Sequence, residues 1–220
     1  MTENLYNIYK LKNYFNTTEF FEKDLEEEND AKFQGTIEQV LEKLKKNEGW
    51  HIRINPQKQC LFYVDFDKTT KERFVKLLEL LCKDLELKPE DISYTKSKTI
   101  DGKYSYHISI PSMWCDNPLD IKKFFEHYDC YKEFLITNEI DRSIYSVKPY
   151  RLPMQTNEVK PIKHKIIQGK LEDFIIEYVD KADQWLHPVP EKEYDNNYSN
   201  DEVSEEDVHK CLECIIPDLK

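Results

Sequence analysis

Apolar and polar residues alternate most regularly in two stretches of the chain. In "CLFYVDFD" (60–67), Phe62, Val64 and Phe66 share one parity, and Tyr63, Asp65 and Asp67 the other. In "YSYHISIP" (104–111), Tyr104, Tyr106, Ile108 and Ile110 alternate with Ser105, His107 and Ser109. Period two predicts strands that turn the apolar set to a core and the polar set to the opposite face. Helical spacing appears at 36–47 (Ile37, Val40, Leu41, Leu44) and at 69–86 (Phe74, Leu77, Leu78, Leu81), with Thr69 or Thr70 as N-cap. It recurs at 118–128 (Ile121, Phe124, Phe125), and a further helix is predicted over 171–180. Strands are predicted at 50–54, 92–98 and 163–168, with a hairpin turn at 99–102. Residues 146–154 read as extended, but Pro149 and Pro153 exclude a regular central strand. Residues 17–30 read as an acidic solvated helix or loop, and 188–207 as a Pro-, Asn- and acid-rich linker. Strands and helices intermingle around a hairpin, which predicts an α+β fold.

Composition adds a folded core: 14 Tyr, 11 Phe and 3 Trp stand against 4 Gly. No apolar run approaches the roughly 18–20 residues of a membrane span, and the first residues lack a secretory signal pattern. The chain is therefore read as intracellular, with Cys60, Cys82, Cys115, Cys130, Cys211 and Cys214 reduced. Cys211 and Cys214 form a lone CxxC, which either zinc or helical spacing near a chain end explains. The net charge of −11 opposes a nucleic-acid partner only until it is divided along the chain. Residues 1–30 carry −5 and 171–220 carry −11, whereas 142–170 carry +6, with seven bases against Glu158 alone. Local charge is the better guide to a polyanionic partner.

Three polar constellations remain. Asp65 and Asp67 on one strand face repel unless a cation lies between them, so they suit a hard divalent ion such as Mg²⁺. The competing reading is two acids at a solvated strand end. Ser105 and His107 present a hydroxyl and an imidazole on one face, able to donate to phosphate; otherwise they are a polar outward face. Asp141 follows the apolar run "FLIT" and precedes Lys148 and Arg151. It supplies a third carboxylate, or it is a helix N-cap or salt-bridge partner. Acids for ions, cations for a triphosphate and an in-line hydroxyl are the parts of two-metal phosphoryl transfer.

The order "YVDFD", "SYHIS", "IDRSIYSVKPYRLP" resembles the three motifs of the archaeo-eukaryotic primase superfamily. It is most similar to the type at the N-terminus of primase–helicases in poxviruses and other large DNA viruses. The resemblance covers about residues 60–155. It implies an RRM-like antiparallel or mixed sheet flanked by helices, with a catalytic domain at 1–187 and an acidic linker or tail at 188–220. It also implies two Mg²⁺ or Mn²⁺ ions on Asp65, Asp67 and Asp141. Ser105, His107, Arg151 and Lys148 would hold the nucleoside triphosphate or template. The implied activity is primer synthesis on single-stranded DNA in viral replication, in the host cytoplasm or nucleus, with a helicase domain or protein as partner. The chain contains no GxxxxGK[ST], so it is read either as a domain excised from a primase–helicase and ending in the linker or as a stand-alone protein. Tyr145 and Tyr150 read as core packing, with stacking on bases as their alternative role. Two rival readings stand beside this one. A DxD sugar-nucleotide glycosyltransferase explains only Asp65 and Asp67, and a non-catalytic nucleic-acid-binding module leaves the acids without a task.

Overall fold

The chain enters its fold through β1 (Tyr6–Lys10), β2 (Ala31–Gly35), helix α1 (Ile37–Leu44), β3 (Trp50–Arg53) and β4 (Cys60–Thr69). Helix α2 (Lys71–Asp84) leads into the hairpin of β5 (Ser93–Lys98) and β6 (Tyr104–Cys115). Then come α3 (Pro118–His127), α4 (Lys132–Ile136), β7 (Pro149–Arg151), β8 (Lys165–Gln168) and β9 (Gln184–Trp185). This computed structural model describes residues 4–10, 31–46, 49–99, 101–156 and 163–189. All of them belong to the unit Met1–Val189; Pro190–Lys220 form a second unit outside the described residues. The acidic segment expected at 17–30, nearly all of the expected linker, Lys160 and the Cys211/Cys214 pair also lie outside them.

The architecture is α+β. One sheet has the order β2-β1-β3-β7 and the larger one β4-β6-β5-β8. Every pairing is antiparallel except that of β9, which runs parallel beside the far end of β6. Phe62, Val64 and Phe66 are fully buried, as are Ile108 and Ile110. Against this face pack three helices: Phe74 of α2 stacks on Tyr106 at 3.7 Å, Phe124 and Phe125 of α3 meet Phe62, and Phe134 of α4 meets Phe66. Each such side chain contributes about 1.5–3 kcal/mol by leaving water. The opposite face meets the other sheet, where Tyr150 of β7 contacts Tyr63 at 5.5 Å and His107 at 4.9 Å.

Local signals explain the boundaries. Thr36 and Gln39 form a capping box at α1, and Thr70, not Thr69, caps α2 by accepting from Arg73 N–H. Asn117 caps α3 ahead of Pro118, which suits the first helical turn. Pro111 does not end β6 as expected. The pairing slips there, from Phe62 opposite Ile110 to Leu61 opposite Trp114, and an irregularity is where a strand tolerates proline. Pro149 lies in β7, an edge strand of its sheet, as proline requires. The helix expected at 171–180 is a single 3-10 turn, Leu171–Phe174. Phe174, Ile175 and Ile176 are all buried in succession, so no one helical face forms there. Just before it, Gly169 ends β8 at φ 91°, and a Cβ there would lie 2.1 Å from Ser93 Oγ.

The four described cysteines are free thiols. Among the described residues no helix is long and apolar enough to cross a membrane.

Candidate functional site

Strand alternation sends Tyr63 and Asp65 to the face that carries Ser105, His107 and Ser109, and the register sets Asp65 directly opposite His107. His107 Nε2 lies 3.7 Å from Asp65 Oδ1. Beyond Phe66 a bulge intervenes: the three steps to Thr69 on β4 match the two steps from Tyr106 to Tyr104 on β6. Lys68 absorbs the extra residue with a φ of 52°, in the left-handed region. Asp67 sits at this bulge, and its Oδ1 accepts a hydrogen bond from Ser105 Oγ.

Asp141 arrives from 74 or more positions away by backbone pairing. Asp67 N–H donates to Glu139 O at 2.7 Å, and Asp141 N–H donates to Asp65 O at 3.0 Å. These bonds flank an antiparallel bridge between Phe66 and Ile140. Residues 139–141 therefore line the free edge of β4, and Asp141 stands across from Asp65 on the side away from His107. Asp141 also caps the 3-10 turn Arg142–Tyr145: its Oδ1 accepts from Ser143 N–H at 2.8 Å and from Ser143 Oγ at 2.5 Å. The two readings of Asp141 are compatible, because the cap fixes the side chain that the strand pairing brings in.

Glu139 anchors this edge. Its buried carboxylate accepts from Thr69 Oγ1 at 2.8 Å, Thr137 Oγ1 at 2.7 Å and Arg73 Nε at 2.7 Å. Arg73 also pairs with Glu133 at 2.6 Å. Burial pushes the Glu139 carboxyl up, but the bonds from Arg73, Thr137 and Thr69 outweigh it and hold it below the usual range.

The cations are placed less directly. Lys148 Nζ donates to Ser143 Oγ at 2.6 Å, so it reaches Asp141 through that hydroxyl. Arg151 lies on β7 in the other sheet, opposite His51. Thus strand pairing brings Asp65, Asp67, Asp141, Ser105 and His107 to neighbouring backbone positions, Lys148 is one hydroxyl removed, and Arg151 stands on the other sheet. Ser105 and His107 are both buried and face the carboxylates.

Tyr145 and Tyr150 are 1 % and 2 % exposed, which removes them as base-stacking platforms. They pack under the site instead: Tyr145 OH donates to Tyr63 O at 3.2 Å, while Tyr63 OH donates to Ile144 O at 3.1 Å. Burial raises both phenols well above their usual range, and the nearby Asp65 charge adds to it; Asp141 adds further for Tyr145.

Several residues of the site escape sequence reading. Glu139 stands two positions before Asp141, a period-two signal within "NEID". Ser143 stands two after it, the spacing of an Asx turn. His164, between two lysines in "KHKIIQ", carries no local signal at all, yet it stacks on His107.

The donor chemistry suits a hard divalent cation: two carboxylates on β4 and a third on the segment paired to its edge, two of the three oriented by serine hydroxyls. Asp67 and Asp141 each keep one oxygen outside those hydroxyl bonds. Among the described residues, no group of three or more His, Cys, Asp or Glu side chains is arranged so that it could hold a metal ion. Comparison with models of protein families and with curated proteins finds no match to this chain.

Proposed function

We propose that the chain is a template-directed nucleotidyl transferase, a DNA primase or primase–polymerase with an archaeo-eukaryotic primase type of core. One observation carries the reading: residues 139–141 pair along β4 and set Asp141 beside Asp65, while β6 sets His107 on its other side. The three motif regions thus meet at one edge of one sheet. The glycosyltransferase reading does not account for that convergence, and a degenerate polymerase fold that only binds nucleic acid would leave the acids without a task.

In this reading Asp65, Asp67 and Asp141 hold Mg²⁺ or Mn²⁺, which would lower the pKa of an attacking 3′-hydroxyl and stabilise departing pyrophosphate. The chain's own residues orient the donors. Ser105 fixes Asp67, Ser143 fixes Asp141, and His107 faces Asp65. Lys148, held at Ser143, supplies positive charge next to Asp141 for a nucleoside triphosphate. Single-stranded DNA is the template, and a helicase domain or protein is the expected replication partner.

The test is primer synthesis on single-stranded DNA with nucleoside triphosphates and Mn²⁺. Wild type should make short products, and Asp141→Ala should lose roughly 10²–10³-fold in rate, the scale for removing one electrostatic stabiliser. Its thermal midpoint should fall by only about 2–4 °C, for the lost cap on Ser143. An Asp141→Ala protein that synthesises at the wild-type rate sinks the reading. Hydrolysis of a sugar nucleotide without primer product would favour the glycosyltransferase, and metal-independent strand binding without synthesis the binding module.

A further inference from the structure

We infer that His164 is a positioning residue for the carboxylate site: it holds the His107 ring in place against Asp65. His164 lies outside the three motif regions, on the segment entering the edge strand β8, yet it is only 2 % exposed. Its Nδ1 is 3.1 Å from Thr95 Oγ1 and its Nε2 is 3.2 Å from Ser97 Oγ. Thr95 Oγ1 also accepts the backbone N–H of His107 at 3.2 Å. If Thr95 donates to Nδ1 and the Nε2 hydrogen goes to Ser97, each hydrogen is used once. Two hydroxyls of one strand then define the plane of the His164 ring.

The His107 ring lies on that plane, with centroids 3.8 Å apart and 24° between rings. Tyr150 contacts the same His107 ring at 4.9 Å. A ring held in this way keeps Nε2 directed at Asp65 Oδ1. The placement is costly to make by chance. A buried imidazole without hydrogen bonds is a stranded polar group, and here both nitrogens are provided for. Backbone bonding fixes the segment too, since Met154 N–H donates to His164 O at 3.0 Å.

The functional half of the inference rests on the nucleotidyl-transfer reading; the geometric half does not. The experiment therefore reads binding and spectra as well as activity. Mn²⁺ binding to the full chain is measured by electron paramagnetic resonance for wild type, His107→Ala, His164→Ala and the double variant. Each single change should weaken Mn²⁺ by about tenfold, the lower end for losing a residue that orients a metal ligand. The double variant should be no weaker than His107→Ala alone. Additive losses, or a wild type that does not bind Mn²⁺, overturn the inference. Proton spectra of wild type should show Overhauser contacts between the two rings, and His164→Ala should shift the His107 ring signals. Absence of those contacts also overturns it, even if the variants fold poorly. Stacked rings and non-additive Mn²⁺ losses in a protein that makes no primer would sustain the positioning role and sink the primase reading alone.

Discussion

Strand β4 turns Phe62, Val64 and Phe66 to one side and Tyr63 and Asp65 to the other, and both sides are covered by other elements. The helix-covered face is held by burial itself, which has no direction and tolerates exchange of one apolar shape for another. The face toward the smaller sheet carries Ser93, Thr95, Ser97, Ser105, His107 and Ser109, all buried and polar. There Ser93 depends on Asp173, Thr95 and Ser97 on His164, and Ser105 on Asp67, and removal of one partner strands the other. One face holds the strand in position, and the other decides where each reactive atom sits.

The largest effect should come from the apolar side. Phe66→Ala removes a fully buried ring and should cost about 3–5 kcal/mol in denaturant unfolding. Activity should fall only with the folded fraction. A loss under 1 kcal/mol would mean that this face is not the core. Next comes the anchor of the edge formed by residues 139–141. Glu139→Gln breaks the pair with Arg73 and should cost about 3 kcal/mol, the lower end for a buried ion pair, since Arg73 is partly exposed. Because Glu139 titrates below its ordinary value in the folded state, its contribution is present above the ordinary carboxylate pKa, about 4.3. It is lost as pH falls through the lower, folded value. The stability gap between wild type and Glu139→Gln should therefore hold from neutral pH to about 5 and close in more acid solution. A gap that widens with acid would refute the assignment.

A matched pair of near-isosteric changes sharpens the contrast between the faces. Thr95→Val takes a hydroxyl from the polar face and leaves His107 N–H and His164 without it, at a cost of about 1–3 kcal/mol. Ile108→Leu, next to His107 on β6 but turned to the helices, should cost less than about 1.5 kcal/mol. Equal costs would erase the distinction drawn between the two faces. Smallest of all, Thr36→Ala should remove about 1 kcal/mol through the α1 cap and leave any primer synthesis unchanged.

Much of this was legible in the residues alone. Period two in 60–67 and 104–111 predicted both strands and the side to which each residue turns. What it could not supply was the register. That Asp65 faces His107, and that residues 139–141 complete the edge, depends on pairings between distant segments. β1 and β2 were missed for a related reason: Tyr6 and Ile8 alternate, but five residues without a nearby partner make no hairpin signal. The 171–180 segment misled because a short apolar run fits a turn as well as a helix. His164 was invisible because its meaning lies in what it stacks against.

The edge position of β8 has a practical consequence for anyone cutting the gene. Every motif residue lies between 65 and 151, so a fragment ending near residue 155 would retain all of them. It would lose β8, which pairs with β5, and with it the imidazole that caps the hydroxyls of Thr95 and Ser97. It would also lose Ile176, whose carbonyl accepts from Leu61 N–H at 2.7 Å at the start of β4. Such a fragment would carry the whole signature and lack the walls of the room that houses it. The smallest unit able to keep these side chains in place extends at least through Leu186, whose N–H closes onto Trp114 O at 2.8 Å.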